Sequence, residues 1–70
     1  MNLNLLEYLI ACVSEFANTY NMSQKNSFNY LYKYKGIDFL NKHYEIEHTL
    51  SIEEAINDLT IICRKNGGDL

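Results

Sequence analysis

The chain has 70 residues, of which 47% are apolar, and it carries a net charge of −3 at neutral pH. A chain of this length forms a single domain, residues 1–70, with a small core, and its apolar fraction is that of a globular rather than a disordered protein. The negative net charge argues against non-specific binding of nucleic acids, because affinity for phosphates needs a positive field.

The N-terminal segment indicates a cytoplasmic protein. It lacks the positive region that precedes the apolar core of a signal peptide, and Glu7 interrupts its apolar run. No stretch of the sequence approaches the roughly 20 apolar residues that a membrane helix needs. In that compartment Cys12 and Cys63 are expected to be reduced, buried thiols, although the sequence leaves a contact between them open.

The first predicted helix covers residues 4–20. The apolar residues that recur in it at helical spacing are Leu5, Leu6, Leu9, Ile10, Cys12, Val13, Phe16, Ala17 and Tyr20. This stripe covers much of the helix circumference, so we expect the helix to contact more than one neighbour. Asn21 is expected to end it.

A second predicted helix begins after Ser23, a good N-cap residue, and runs to about residue 35. Phe28 and Leu31 share one face and are expected to anchor this helix in the core. Gly36 is expected to follow as a residue with positive φ, a conformation that glycine adopts without strain. A short helix over residues 37–43 comes next, and residues 44–50 are expected to form an extended or irregular connection.

The last predicted helix covers residues 52–66 and has the clearest end signals. Ser51 is its predicted N-cap, because the hydroxyl can accept the backbone N–H of Glu54 while the Glu54 carboxylate accepts the Ser51 N–H. Acidic residues lie early and basic residues late, in agreement with the helix dipole, and two glycines follow. The residues predicted to be buried are Ile52, Ala55, Ile56, Leu59, Ile62 and Cys63.

One apolar side chain of the last helix falls on its polar face. Ile61 lies in line with Glu54 and Asp58, so it is either an ordinary exposed isoleucine or part of a protein interface. Tyr30 and Tyr34 lie one turn apart on a flank of the second helix. These five residues form the predicted interface set.

Residues with metal-binding or catalytic chemistry do not form a known pattern. The candidates are His43, His48, Glu45, Glu47, Cys12 and Cys63. The sequence contains no Cys-x-x-Cys pair, no His-Glu-x-x-His and no serine with a base at motif spacing. His48, ahead of a helix N-cap, is expected to have a structural role with Ser51 and Glu54. The sequence therefore predicts no catalytic residue, metal site or cofactor.

Charge is distributed unevenly along the chain. Residues 23–43 carry four lysines and one aspartate, whereas residues 44–58 carry five acidic residues and no basic ones. Residues 30–35 alternate tyrosine with leucine and lysine, and such a surface can stack bases and hold phosphates. On a helix, however, these side chains point in several directions. Nucleic-acid binding is therefore an alternative and not the leading hypothesis.

Residues 30–68, YLYKYKGIDFLNKHYEIEHTLSIEEAINDLTIICRKNGG, resemble a small bacterial family of helical domains of unknown function. The resemblance extends over residues 5–68 and is most specific in residues 44–51 and at Asp58-Leu59. Members are often encoded beside proteins that resemble ADP-ribosyltransferases. The resemblance therefore implies a small partner in a two-component system, and it brings no catalytic residues with it.

The sequence as a whole predicts a compact all-α bundle of three to four short helices that acts without catalysis. The leading hypothesis is an antitoxin-like or regulatory partner of an ADP-ribosyltransferase-like protein, whose basic surface would meet the acidic residues 45–58. Two alternatives remain, a nucleic-acid-binding regulator that uses the tyrosine- and lysine-rich second helix, and a homo-oligomeric structural domain.

Overall fold

A computed structural model describes residues 3–70 of the protein. This part of the chain is all-helical, as predicted, and folds around one apolar core. Its five helices are α1 (Leu3–Thr19), α2 (Gln24–Lys33), α3 (Gly36–Lys42), α4 (Tyr44–Glu47) and α5 (Ile52–Lys65). The number of helices exceeds the predicted three to four because of α4. None of the helices in residues 3–70 has the length and apolar character required to cross a membrane.

The turn between α1 and α2 forms as the sequence predicts. Asn21 adopts a positive φ of 52°, a conformation that asparagine tolerates better than most residues, and α1 has ended two residues earlier. The Ser23 hydroxyl accepts the backbone N–H of Asn26 at 3.0 Å and so caps α2. The two helices therefore form a helical hairpin.

The buried face of α2 differs from the predicted one. Leu31 is fully buried as expected, but Phe28 is 45% exposed, and the second buried residue is Ser27. The Ser27 hydroxyl donates a hydrogen bond of 2.7 Å to the Val13 carbonyl of α1. A small polar side chain with a partner on the facing helix allows close helix packing, which turns Phe28 toward the surface. Hydrophobic periodicity does not reveal such a position.

The connection from α2 to α3 also differs from the prediction at Gly36. Lys35 takes the left-handed conformation, with φ of 71°, and Gly36 is the first residue of α3. A Cβ atom on Gly36 would lie 2.9 Å from Leu31 Cδ2 and 3.2 Å from Cys63 Sγ. Glycine is therefore required here for close packing and not for a positive φ.

The predicted irregular connection over residues 44–50 is wrong, because this segment contains α4. The backbone N–H of Glu47 donates to the His43 carbonyl, and that of His48 donates to the Tyr44 carbonyl, each at 2.9 Å. Tyr44 also contacts Tyr8 of α1, edge to face, with ring centroids 5.5 Å apart. This tertiary contact holds a helix of four residues that is too short to be stable alone.

The capping of α5 agrees with the prediction in its main bond and differs in the second. The Ser51 hydroxyl accepts the Glu54 N–H at 3.1 Å, as expected. The Glu54 carboxylate, however, accepts the Ser51 hydroxyl at 3.1 Å, where the sequence predicted the backbone N–H. Ile52, predicted to be buried, is 37% exposed because it lies in the first turn, at the edge of the core.

Replacing Ser51 by alanine is expected to lower the free energy of unfolding by about 1 kcal/mol, because the Glu54 N–H loses its acceptor. Thermal melts followed by circular dichroism would measure the change. Ser51→Asp is the matched control, since aspartate caps helices as well as serine and should retain most of the stability. An unchanged midpoint in Ser51→Ala would show that the cap does not stabilise α5.

The core joins α1, α2, α3 and α5. Its fully buried apolar residues include Phe16, Leu31, Leu40 and Leu59, and the Phe16 ring packs against those of Tyr20 and Tyr30. Cys12 and Cys63 are both buried and unpaired with each other, as the sequence predicts. Outside this core, α1 and α5 each present a large apolar side chain to solvent, Ile10 and Ile61.

Candidate protein-binding surfaces

An apolar groove runs between α1, α2 and α3. It has a volume of about 470 Å³ and is lined by Leu6, Leu9, Ile10, Val13, Gln24, Phe28 and Ile37. A second depression shares Leu9 and Ile37 and continues toward Tyr32 and Lys35. We call the first of these the α1–α2 groove. Phe28 is turned to the surface, so apolar side chains of both α1 and α2 face solvent along this groove.

Large apolar side chains project beside the α1–α2 groove. Ile10 is 57% exposed and Tyr32 is 69% exposed, and Leu6 and Phe28 are also exposed. Contiguous apolar surface of this kind marks an interaction site more often than isolated exposed residues do. Leu6 and Ile10 belong to the broad apolar stripe predicted for the first helix. The sequence feature that indicates this site is the width of the apolar stripe, which covers more of the α1 circumference than the core can bury.

A second, smaller surface surrounds Ile61, which is 50% exposed. Ile61 lies with Phe39, Asp58 and Ile62 around a surface pocket of about 260 Å³. The helical position predicted for Ile61, on the outer side of the last helix, is therefore correct. The pocket combines apolar side chains with a carboxylate, unlike the α1–α2 groove.

Tyr30 and Tyr34, the other predicted interface residues, lie elsewhere and are partly buried. Their rings contact each other with centroids 4.8 Å apart, and the Tyr30 hydroxyl accepts the backbone N–H of Leu70 at 3.1 Å. Burial raises the pKa of Tyr30. Neither tyrosine lines the pocket around Ile61. The predicted interface set is thus divided between two regions.

The residues predicted to be structural make local hydrogen bonds. His48 Nδ1 lies 2.8 Å from the Tyr44 carbonyl, and the two rings stack with centroids 4.6 Å apart. Ser51 and Glu54 form the α5 cap described above. Because Glu54 is held by Ser51, its carboxylate contributes negative charge to the α5 surface from a defined position.

Glu47, at the end of α4, is a buried acidic residue that faces α5. It was predicted as a metal or catalytic candidate and as part of the acidic stretch 45–58 that meets a partner, but its burial removes it from that surface. Glu47 is only 4% exposed, and its carboxyl group is near Asp58 of α5. Burial, followed by the hydrogen bond and the negative charge of Asp58, raises the pKa of Glu47 to about 7. Near neutral pH the protonated Glu47 carboxyl group can therefore donate a hydrogen bond to Asp58 of α5.

Two groups of α1 face the same region. The Tyr8 hydroxyl is buried, and its pKa is raised by burial and by the neighbouring Cys12 thiol and Glu47. Burial also raises the pKa of the Cys12 thiol. Desolvation therefore keeps both groups protonated and neutral at neutral pH.

The remaining metal and catalytic candidates are dispersed. Within residues 3–70, no group of three or more histidine, cysteine, aspartate or glutamate residues is arranged to hold a metal ion. Burial raises the pKa of Cys63 to about 11, so this thiol is neutral and a poor nucleophile at physiological pH.

Comparison with known proteins gives a family match. Residues 7–66 match the family described as "Protein of unknown function (DUF3791)", which covers most of the chain. Searches among curated proteins and among solved structures find no significant match.

Proposed function

The chain belongs to the DUF3791 family, whose function is unknown, and we propose that it is a non-catalytic protein-binding module. The observation that carries this proposal is the pocket around Ile61, where a half-exposed isoleucine lies beside the Asp58 carboxylate on α5. An apolar anchor beside fixed charges is the usual composition of an interface between different proteins, because the anchor provides affinity and the charges provide specificity.

The charge of this surface indicates the chemistry of the partner. Glu54 lies in the first turn of α5 and Asp58 one turn later, and helical spacing places both on the side that carries Ile61. A partner with a basic surface around an apolar depression would complement them. A nucleotide-phosphate site on an ADP-ribosyltransferase-like protein has this character. The resemblance described above supports such a partner, for which this chain would be the antitoxin-like or regulatory subunit.

The proposal is tested with the protein encoded by the neighbouring reading frame as the probe. Titration calorimetry should give a saturable complex whose affinity decreases with salt. Ile61→Asp should weaken this affinity about tenfold or more, since it places a charge in the desolvated centre of the interface. Circular dichroism should show a folded variant, because Ile61 is not part of the core cluster.

Ile10→Asp is the matched control, because it makes the same change at an equally exposed isoleucine outside the pocket. Its affinity for the probe, measured per chain, should equal that of the wild type. No binding of the probe would contradict the proposed partner, and wild-type affinity in Ile61→Asp would contradict the proposed site. A salt-sensitive complex with RNA or DNA would instead favour the nucleic-acid-binding alternative.

A further inference from the structure

The short helix α4 is held in the fold by a carboxyl group. Glu47 is the one buried residue of this helix, whereas its neighbour Ile46 is largely exposed. The Tyr44 ring adds a contact with Tyr8 of α1. A helix of four residues needs such tertiary contacts, because its few internal hydrogen bonds do not offset the entropy lost when it forms. The docking of α4 therefore depends on the state of one ionisable side chain.

The surroundings of Glu47 accept a neutral carboxyl group better than a charged one. Among residues 3–70, no hydrogen-bond donor reaches its buried Oε1 atom. The groups that face it are Tyr8 and Cys12 of α1 and Glu54 and Asp58 of α5, none of which is basic. A buried carboxylate without a donor or a cation is unfavourable, and it can return to water when the segment that carries it opens.

The ionisable groups on the side of α3 are engaged elsewhere. The His43 ring packs against Phe39 with ring centroids 5.0 Å apart, and Lys42 forms an ion pair with Asp38 at 3.2 Å on the surface. A negative charge on Glu47 is therefore not neutralised from this side of the bundle.

We propose that the protonation state of Glu47 controls the docking of α4, so that loss of its proton releases α4 from α1 and α5 and uncovers the Cys12 thiol. This thiol is fully buried in the docked form, and the Tyr8 hydroxyl and Glu47 lie beside it. Burial raises the pKa of Glu47 from 4.5 to about 7. Docking is thus most favourable below about pH 4.5 and weakens as the pH rises through this window. The opening of α4 requires no partner protein, so this inference is independent of the proposed function.

Thiol labelling of the native full chain with methyl methanethiosulfonate tests the opening. Cys12 and Cys63 are both buried, and peptide mass spectrometry gives the labelling rate of each. Dividing each rate by that of the urea-unfolded chain at the same pH removes the effect of thiol ionisation. By this relative rate Cys12 should react about tenfold or more faster than Cys63, because the opening of α4 leaves Cys63 covered. Equal relative rates would overturn the proposal, since only global unfolding would then expose Cys12.

The pH dependence of the labelling tests the role of Glu47. The relative rate of Cys12 should rise about tenfold between pH 6 and pH 8 in the wild type. Glu47→Gln should remove most of this rise, because glutamine cannot ionise. Glu45→Gln is the matched control on the exposed side of α4 and should keep the rise. A rise that persists unchanged in Glu47→Gln would overturn the control of docking by this carboxyl group.

A further variant weakens the docking of α4 while Glu47 stays in place. Tyr44→Ala removes the ring contact with Tyr8, so it should increase the relative rate of Cys12 about three- to tenfold at pH 6 and leave the rise toward pH 8 in place. Tyr32→Ala, at an exposed tyrosine of α2, is the control and should have the wild-type rate. A wild-type rate in Tyr44→Ala would show that α4 does not cover Cys12 and would overturn the proposal.

Discussion

Replacing Glu47 by glutamine is expected to raise the free energy of unfolding at about pH 8 by on the order of 2 kcal/mol. The wild-type carboxyl group is buried beside Asp58, so at this pH the folded protein holds a desolvated negative charge next to a second one. Glutamine has the shape of protonated glutamate and can donate a hydrogen bond to Asp58. It therefore keeps the contact between α4 and α5 without the charge.

The direction of the effect follows from proton linkage. The unfolded carboxyl group loses its proton near pH 4.5, whereas the folded one keeps it to about pH 7. Between these values the folded state binds more protons, so wild-type stability is greatest below the lower value and falls as pH rises through the window. Above about pH 7 the folded protein no longer gains stability from the protonated Glu47 carboxyl group. The groups that face Glu47 in the fold are Tyr8, Cys12, Glu54 and Asp58.

Chemical denaturation at several pH values would measure the free energy of unfolding and its pH dependence. In the wild type this free energy should decrease between about pH 5 and pH 7.5, and most of that decrease should be absent in Glu47→Gln. Near pH 4.5 the variant and the wild type should be equally stable. Glu45→Gln is the matched control, since this glutamate lies on the same helix, is exposed, and should change stability by less than about 0.5 kcal/mol. An equally steep pH dependence in Glu47→Gln would refute the role of the buried carboxyl group.

Replacing Gly36 by valine is expected to destabilise the protein by about 3 kcal/mol, and Gly36→Ala by about 1–2 kcal/mol. The first added carbon would lie 2.9 Å from Leu31 Cδ2 and 3.2 Å from the Leu31 carbonyl oxygen. The oxygen belongs to the backbone of α2, and Leu31 and Cys63 are fully buried. None of these atoms can move without disturbing the packing of α2, α3 and α5.

Lys35→Gly is the control that separates packing from backbone conformation. Lys35 has the positive φ in this turn, so glycine there should be neutral or stabilise by up to about 1 kcal/mol. Urea denaturation would compare the three variants. If Gly36→Ala were harmless and Lys35→Gly harmful, the left-handed residue would be Gly36, as the sequence had suggested.

The α1–α2 groove and the buried acid pair illustrate what local sequence patterns cannot predict. The side of α2 that faces the core depends on the hydrogen bond from the Ser27 hydroxyl to the Val13 carbonyl, and these two residues lie in different helices. The environment of Glu47 depends on the side chain of Asp58, eleven positions away on another helix. Both features arise when helices meet, because a side chain's exposure and pKa are determined by the neighbours that packing brings to it.

The sequence by itself determined the all-helical class, the positions of the four longer helices and the caps at Ser23 and Ser51. These features depend on interactions within a few residues, such as helical periodicity and side-chain bonds to nearby backbone N–H groups. It also identified Ile61 as an exposed apolar residue, because the strong amphipathic pattern of α5 determines which side of that helix faces the core. Tertiary structure alone decided the helix α4, the close approach at Gly36, the exposure of Phe28 and the burial of Glu47. The physical reason is that each of these depends on contacts between residues far apart in the chain, whose free energies exceed the local preferences.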